Sequence, residues 1–348
     1  MATRVVGVDI GSTKVRAVEV ENPNKAKPTI LRYHEVALPE GAARSGEVLE
    51  THTVASVLKN LWSTGGFTSK NVVLGIGNQR VLARDLTLPK MTPLQIRESL
   101  PFQVQDMLPI PVSEALLDFY AVSEGMSDSG PVVNGLLVAA VKESVLANVN
   151  AVKLAGLQAV EVDLIPFAIS RVQTRAITAQ GAVALVDVGA STTTVVVTVA
   201  GVPQFVRIIP IGGQDVTKAI SARLELDEPV AEQAKRALGL PFGMPTPEQR
   251  AVMEIIYEIT TELLNSLRNT LSYYDNTHEA GKVERIVLSG GGAQLNGFSN
   301  ALSELTRTQV VAIDPFGGFT LARKSDVRGD DARGSMTVAL GLALGSNV

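Results

Sequence analysis

Apolar residues run along this chain in two periods. From Arg4 to Ile10 they are nearly continuous and largely β-branched, the pattern of a central strand covered on both faces. From Val15 to Val20 apolar and polar positions alternate, as in a half-covered strand. Gly11-Ser12-Thr13 lies between them, so residues 4–20 are predicted to form a hairpin with hydroxyls at its tip. The same device returns at residues 183–199, where Asp187-Val-Gly-Ala-Ser-Thr repeats Asp9-Ile-Gly-Ser-Thr with one residue inserted. This reads as an internal duplication, two domains that each open with the same hairpin. A third apolar run, Arg285-Ile-Val-Leu-Ser289, enters Gly290-Gly291-Gly292, and residues 293–306 read as a helix start with Gly297 inside it. Strand, glycine turn and helix N-terminus together let backbone N–H groups approach a phosphate.

Helical periodicity marks Val54–Trp62, Ser144–Leu154, Phe167–Ala176, Val216–Leu224, Val230–Leu238, a long stretch from Pro247 to about Asn276, and a small-residue helix at 336–344. Thr92–Met107 is helical in pattern, with Pro101 expected to break or kink it. Asn22–Pro28, Pro39–Gly46, Ser123–Pro131, Leu240–Pro247 and Lys324–Gly334 read as linkers, the last as a solvated loop.

The length of 348 residues suits two or three domains and a sizeable core. A net charge of −4 argues against coating nucleic acid or an anionic membrane by bulk charge. There is no cysteine, which excludes disulfides, thiolate nucleophiles, Cys-ligated zinc and iron–sulfur clusters. His34, His52 and His278 lie far apart and read as surface or core residues. No run approaches the roughly 18 apolar residues of a membrane helix, since Ala182–Val202 is broken by Asp187 and Ser191–Thr194. The N-terminus lacks a signal-peptide pattern, so a cytoplasmic location is expected.

A nucleoside triphosphate with Mg²⁺ needs a cradle of N–H groups and hydroxyls for the phosphates and carboxylates for the hydrated metal. The two hairpins supply both, twice. Gly11, Ser12 and Thr13 would face Gly189, Ser191, Thr192 and Thr193 across a cleft, with Asp9 and Asp187 aimed at the metal through its waters, as Mg²⁺ prefers. One Asp-x-Gly-x-Ser/Thr alone is usually a hairpin turn; two copies followed by Ser-Gly-Gly-Gly carry the signal.

These segments, Asp9-Ile-Gly-Ser-Thr-Lys14, Asp187-Val-Gly-Ala-Ser-Thr192 and Ser289-Gly-Gly-Gly-Ala293, resemble the phosphate-one, phosphate-two and adenosine motifs of the actin/heat-shock-chaperone/sugar-kinase superfamily. Ile211-Gly212-Gly213-Gln214 resembles the turn that approaches the γ-phosphate, and Glu232-Gln-Ala-Lys235-Arg236 resembles the helix that packs on the adenosine. Without the resemblance, that helix reads as a solvated face with a Glu–Lys pair. Within the superfamily, Leu88-Pro-Lys-Met91, Met107-Leu-Pro-Ile-Pro111, Ala115-Leu-Leu-Asp-Phe119, Ala155-Gly-Leu157, Val162-Asp163, Phe167-Ala-Ile-Ser-Arg171 and Ala339–Leu344 are similar to the PilM family of type IV pilus assembly, relatives of the division protein FtsA. Pro101 departs from that family, whose members continue the helix.

The resemblance implies an α/β fold: a duplicated actin-like (ribonuclease-H-like) nucleotide-binding fold with an inserted FtsA-type 1C subdomain. Residues 1–77, completed by 152–181 and 335–348, would form the first actin-like domain. Residues 78–151 would form 1C, and 182–334 the second domain, with an insertion at about 218–284. It implies ATP and Mg²⁺ as ligands, with Gly11, Ser12, Thr13, Lys14, Gly189, Ser191, Thr192, Thr193, Gly212, Gly213, Glu232, Lys235, Arg236, Gly290, Gly291 and Gly292 around the nucleotide. It also implies a partner, the cytoplasmic N-terminal tail of a PilN-like inner-membrane protein, held in a groove beside 1C, with further pilus platform and motor proteins and self-association as other contacts. Nucleic acid and direct membrane insertion are not expected; the protein would sit at the inner face of the cytoplasmic membrane through its partner. The apolar set in Val72–Leu88 reads as core, with peptide contact as its alternative.

Hydrolysis needs a group to orient or deprotonate water. By resemblance it would be Asp163, with Glu161 as alternative; a helix N-terminal charge is the other reading of Asp163. Slow hydrolysis at best is expected. A filament-forming FtsA-like division protein and a small-molecule kinase stay open as alternatives. The chain's last residues show no basic amphipathic helix of the membrane-binding kind, and no sugar-pocket signature stands out.

Overall fold

The computed structural model describes residues 3–176, 181–240, 246–278, 281–312, 314–322 and 334–345. The expected loop at 324–334 lies almost wholly outside them, as do residues 346–348 and most of the expected linker at 240–247.

The duplication predicted from the hairpins extends to whole sheets. In the first sheet, β1 (Arg4–Ile10) pairs antiparallel with β2 (Lys14–Glu21), β2 antiparallel with β3 (Thr29–Ala37), and β1 parallel with β6 (Asn71–Ile76). Parallel strand β10 (Gln158–Leu164) flanks β6, and β16 (Thr320–Leu321) closes the far edge beside β3. In the second sheet, β11 (Ala182–Val188), β12 (Thr193–Val199), β13 (Val202–Ile209), β14 (Val283–Ser289) and β15 (Gln309–Ala312) repeat this order, β13-β12-β11-β14-β15. Their parallel and antiparallel senses match those of β3-β2-β1-β6-β10. β1 and β11 are central strands, which is why their sequences are apolar on both faces.

Helices cover and join the sheets. α1 (Thr51–Gly65) and α3 (Lys142–Leu154) close one face of the first sheet over Val6, Val8, Leu58 and Val152. α5 (Gly213–Leu224), α6 (Glu228–Leu238) and α7 (Pro247–Thr277) form their own apolar cluster beside the second sheet, and α7 and α8 (Phe298–Thr306) pack on that sheet through Leu267, Tyr274 and Phe298. Between the sheets lie α4 (Ile165–Ala176) and α9 (Thr337–Ala343), where Ala168, Ile169, Val338 and Leu342 meet Val73, Leu185 and Val287. Small residues make this close approach possible: a Cβ on Gly7 would run into the Ala339 carbonyl, and one on Gly341 into the Ala168 carbonyl.

β7 (Leu82–Pro89), β8 (Ala115–Ser127) and β9 (Gly130–Val141) form a separate three-stranded antiparallel sheet, order β7-β9-β8, covered by α2 (Pro93–Gln103). Two sequence expectations change here. Ser123–Pro131, read as a linker, is the end of the long β8–β9 hairpin, paired down to Ser127 and Gly130. α2 runs through Pro101 for two further residues before ending, and Gln105–Met107 form a separate 3₁₀ turn; so close to the helix end, the missing proline N–H removes one bond only. Elsewhere, Gly297 stands before α8 as its N-cap at φ 84°, not inside a helix. Val72, Val73, Leu74 and Leu88 are buried, so the core reading of that apolar set holds. A small ribbon, β4 (Ala43–Arg44) with β5 (Glu47–Val48), follows the first sheet's third strand.

Candidate functional site

The C-terminal ends of β1 and β11 open onto one cleft of about 360 Å³, with the two hairpin turns facing each other across it. Gly11, Ser12, Thr13 and Lys14 line it from one side and Gly189, Ser191 and Thr192 from the other. Ser191 Oγ donates to Ser12 Oγ at 2.8 Å, so the tips touch. Gly290, Gly291 and Gly292 close the third side. Gly290 adopts φ 88°, and a Cβ there would strike the Val188 carbonyl, so the turn after β14 requires glycine. The turn before α5 docks by its backbone: Gly213 N donates to Gly189 O at 2.9 Å and Gln214 N to Ala190 O at 2.7 Å.

Asp9 and Asp187 both reach the cleft, but their surroundings differ. Arg16, directly across the strand pair from Asp9, places Nη1 3.4 Å from Asp9 Oδ2. Burial raises the Asp9 pKa, and Arg16 opposes that rise. Across from Asp187 stands Thr194, and Ser289 Oγ on the parallel strand donates to Asp187 Oδ1 at 2.7 Å. Burial pushes Asp187 up to about 6; the Ser289 bond opposes this and the Asp9 charge adds to it. The facing acids and the serine hydroxyls are hard oxygen donors, a set that suits Mg²⁺. Of the two, Asp187 lacks a direct ion-pair partner, and its charge is what a cation would balance. Among the described residues there is no cluster of three or more His, Cys, Asp or Glu side chains, so such an ion would keep much of its water.

An adjoining apolar pocket of about 480 Å³ shares Gly213, Glu232, Lys235 and Arg236 with the cleft and is walled by Val216, Ile259, Leu263 and Phe298. The Glu–Lys pair, which without the resemblance reads as a solvated face, is here part of that wall. Lys235 Nζ donates to Gly213 O at 2.9 Å, Thr217 Oγ1 at 2.8 Å and Glu232 Oε2 at 2.6 Å, using all three of its N–H groups. Burial alone would raise Glu232, but hydrogen bonds from Lys235, Thr217 and Arg236 win and hold it at about 2.

Most residues singled out in the sequence therefore converge, and three do not. Thr193 is buried, with its hydroxyl donating to Ile211 O at 2.7 Å, and supports the turn from behind. Gly212 lines the apolar pocket instead of the cleft between the tips. Asp163 lies at the end of β10 outside the described cleft lining. It is 7% exposed, paired with Arg171 of α4, and accepts from Leu164 N at 2.7 Å. Those partners, on α4 and at the end of β10, hold its carboxylate in place. Conversely, the cleft includes Arg16, Glu35, Ser45, Gly46 and Thr194, which were not named as site residues, and Gln214 of the turn before α5. Among those not named, only Arg16 and Thr194 carried a signal, two strand positions facing an aspartate in the predicted hairpins.

Comparison with known proteins agrees with this architecture. MreB 5 of Spiroplasma citri bound to AMPPNP has a similar structure at TM-score 0.55 and 10% identity, covering 97% of this chain and 94% of that one. A PilM-PilN type IV pilus biogenesis complex is much more similar, at TM-score 0.86 and 26% identity over 98% of this chain and 97% of that chain. The cell division protein FtsA of Bacillus subtilis (strain 168) is 30% identical over 128 residues, 37% of this chain and 28% of that protein, so the match spans little more than a quarter of its length. The fold is that of the actin-like ATPases. Residues 7–347 match the family "Type IV pilus assembly protein PilM", and the chain belongs to it.

Proposed function

We propose that this protein is an ATP-binding scaffold of the type IV pilus inner-membrane assembly platform, which binds the cytoplasmic N-terminal tail of a PilN-like membrane protein. The observation that carries the nucleotide half is the cleft: two duplicated glycine–hydroxyl turns and two recessed carboxylates face one another in it. In this reading Gly11–Lys14, Gly189, Ser191, Thr192 and Gly290–Gly292 cradle phosphates, and Asp9 and Asp187 hold the hydrated Mg²⁺. Glu232 and Arg236 border the nucleoside in the apolar pocket, with Lys235 fixing that wall. Mg²⁺ would supply charge neutralisation of the phosphates. In this reading hydrolysis is weak or absent; the acids of the described cleft lining are the metal pair and the ion-paired Glu35 and Glu232. ATP acts chiefly by setting cleft closure.

The partner half is supported by the likeness to the PilM-PilN complex. An open groove of about 760 Å³ lies where α1 and α3 meet the three-stranded sheet, bordered by Thr51, Glu114, Val141, Leu146 and Lys153. Leu146 is 53% exposed there. An extended tail would place apolar residues on Leu146 and Val141 and meet charges of both signs at the rim. Of the expected 78–151, we assign the three-stranded sheet with α2, residues 82–141, to the inserted 1C subdomain, because α3 packs on the first sheet, and take the two large sheets as the cores of the duplicated domains. No helix among the described residues is long and apolar enough to cross a membrane. The protein would accordingly sit at the inner face of the membrane through its partner.

Calorimetric titration with a synthetic PilN-tail peptide of the same organism, with Mg-ATP present, tests this. One-to-one saturable binding, lost on scrambling the peptide, is expected. Absence of binding by protein that holds ATP would move the assignment towards an FtsA-like filament former.

A further inference from the structure

The tip of the first hairpin is hydrogen-bonded to a segment that leads to the groove. Ser12 Oγ accepts from Ser191 Oγ across the cleft and from Ser45 N, both at 2.8 Å. Its own hydroxyl hydrogen is thereby left to donate, beside the cleft it lines. Ser45 adopts the left-handed region at φ 50°, a conformation that a serine keeps only under surrounding contacts. Gly46 O then accepts from Asn148 Nδ2 at 2.8 Å, and Val48 N donates to Asn148 Oδ1 at 2.9 Å. Asn148 lies on α3 and is 1% exposed. Its neighbours Ala147 and Val149 line the groove, as does Thr51, three residues past Val48.

We propose that this chain, Ser12–Ser45–Asn148, couples occupancy of the terminal-phosphate position to the affinity of the groove for the partner tail. The inference rests on the nucleotide and tail readings above. A hydroxyl that donates to an anionic phosphate oxygen becomes a stronger acceptor, so the Ser45 tie tightens when a terminal phosphate meets Ser12. The tightened tie holds residues 45–48, Asn148 and the groove face of α3 in the tail-binding arrangement. A diphosphate lacks the terminal oxygens, offers the Ser12 hydrogen no acceptor there, and leaves the Ser45 tie at its weaker strength. The coupling is reciprocal, so bound tail favours triphosphate over diphosphate by the same factor.

The test is calorimetry of the full chain with the synthetic PilN-tail peptide, in Mg-ADP and in Mg with a non-hydrolysable ATP analogue. Tail affinity is expected to be about 5- to 50-fold higher with the analogue. Asn148→Ala is expected to bind both ligands with that ratio reduced to near one. Independently of any variant, amide hydrogen exchange in residues 45–50 and 142–153 of the wild type is expected to slow with the analogue alone. A ratio of one in the wild type, a ratio that survives Asn148→Ala, or unchanged exchange overturns the coupling. Failure of the protein to bind either nucleotide, measured without peptide, overturns the cleft reading and the coupling with it. Binding of nucleotide with no peptide binding in any state overturns the groove reading instead.

Discussion

Asp9 and Asp187 occupy the same place in two copies of the same hairpin, yet the residue facing each is different. Arg16 stands opposite Asp9 and Thr194 opposite Asp187. Arg16 is anchored further by Glu35, with its Nε 3.2 Å from Oε2, and Glu35 in turn is paired with Lys14. The first acid thus belongs to a charge network, whereas the second has a hydroxyl, Ser289, the neighbouring charge of Asp9 and, as the least of its influences, the attraction of Arg16. Duplication copied the backbone and the acid, and divergence at one facing position gave them different electrostatics. One half of the cleft keeps its carboxylate compensated from within; the other carries a charge that waits for a cation.

The largest expected consequence is in pH dependence. The folded pKa of Asp187 is raised to about 6 from 3.8, so the folded protein holds a proton that the unfolded chain has lost. Stability contributed by that proton is full below about pH 4 and is lost as pH rises through 6, a fall of about 3 kcal/mol. Urea unfolding of the cation-free protein between pH 4 and 7 should show this decline, and Asp187→Asn should flatten it. Next in size, Asp187→Ala should weaken Mg-ATP binding about 30-fold, against about 5-fold for Asp9→Ala, whose loss frees Arg16 to meet phosphate. Equal losses in the two variants, measured by calorimetry, would erase the asymmetry.

Arg16→Thr makes the first hairpin resemble the second. It should cost about 1–2 kcal/mol in cation-free unfolding, because Asp9 loses its counter-charge, and added Mg²⁺ should recover most of it. The smallest effect belongs to the bridge between the tips: Ser191→Ala should change cation-free stability by about 0.5–1 kcal/mol.

The hairpins and their glycine turns were legible because their signal is local. An apolar strand, an acid, a glycine and hydroxyls all fall within a dozen residues, and the repeat of the whole pattern excluded chance. The partners of those acids were legible only after pairing was known, since Arg16 meets Asp9 through strand register. Ser45 and Gly46 reach the cleft from a segment that reads as a linker, whose own pattern says nothing of phosphate. Asp163 was marked by resemblance alone; it stands outside the described cleft lining and is paired with Arg171 of α4, a contact set by the fold and not by local pattern. Replacement by Asn should therefore lower stability by about 2 kcal/mol in urea unfolding and leave ATP affinity unchanged. Ser123–Pro131 looked like a linker by composition, yet cross-strand pairing with residues several positions away outweighed local preference.

The small helix α9 sits against β1, with Gly7 beneath Ala339, and also against α4. In a cell this sets a clock. A ribosome adds about 5–20 residues per second, so β1 waits on the order of 15–65 s before the segment that covers it has been made. During that interval the opening strands of the first sheet present an apolar face to a crowded cytosol. Truncation shortly before Thr337 would leave that face of β1, with Gly7 at its centre, without its cover.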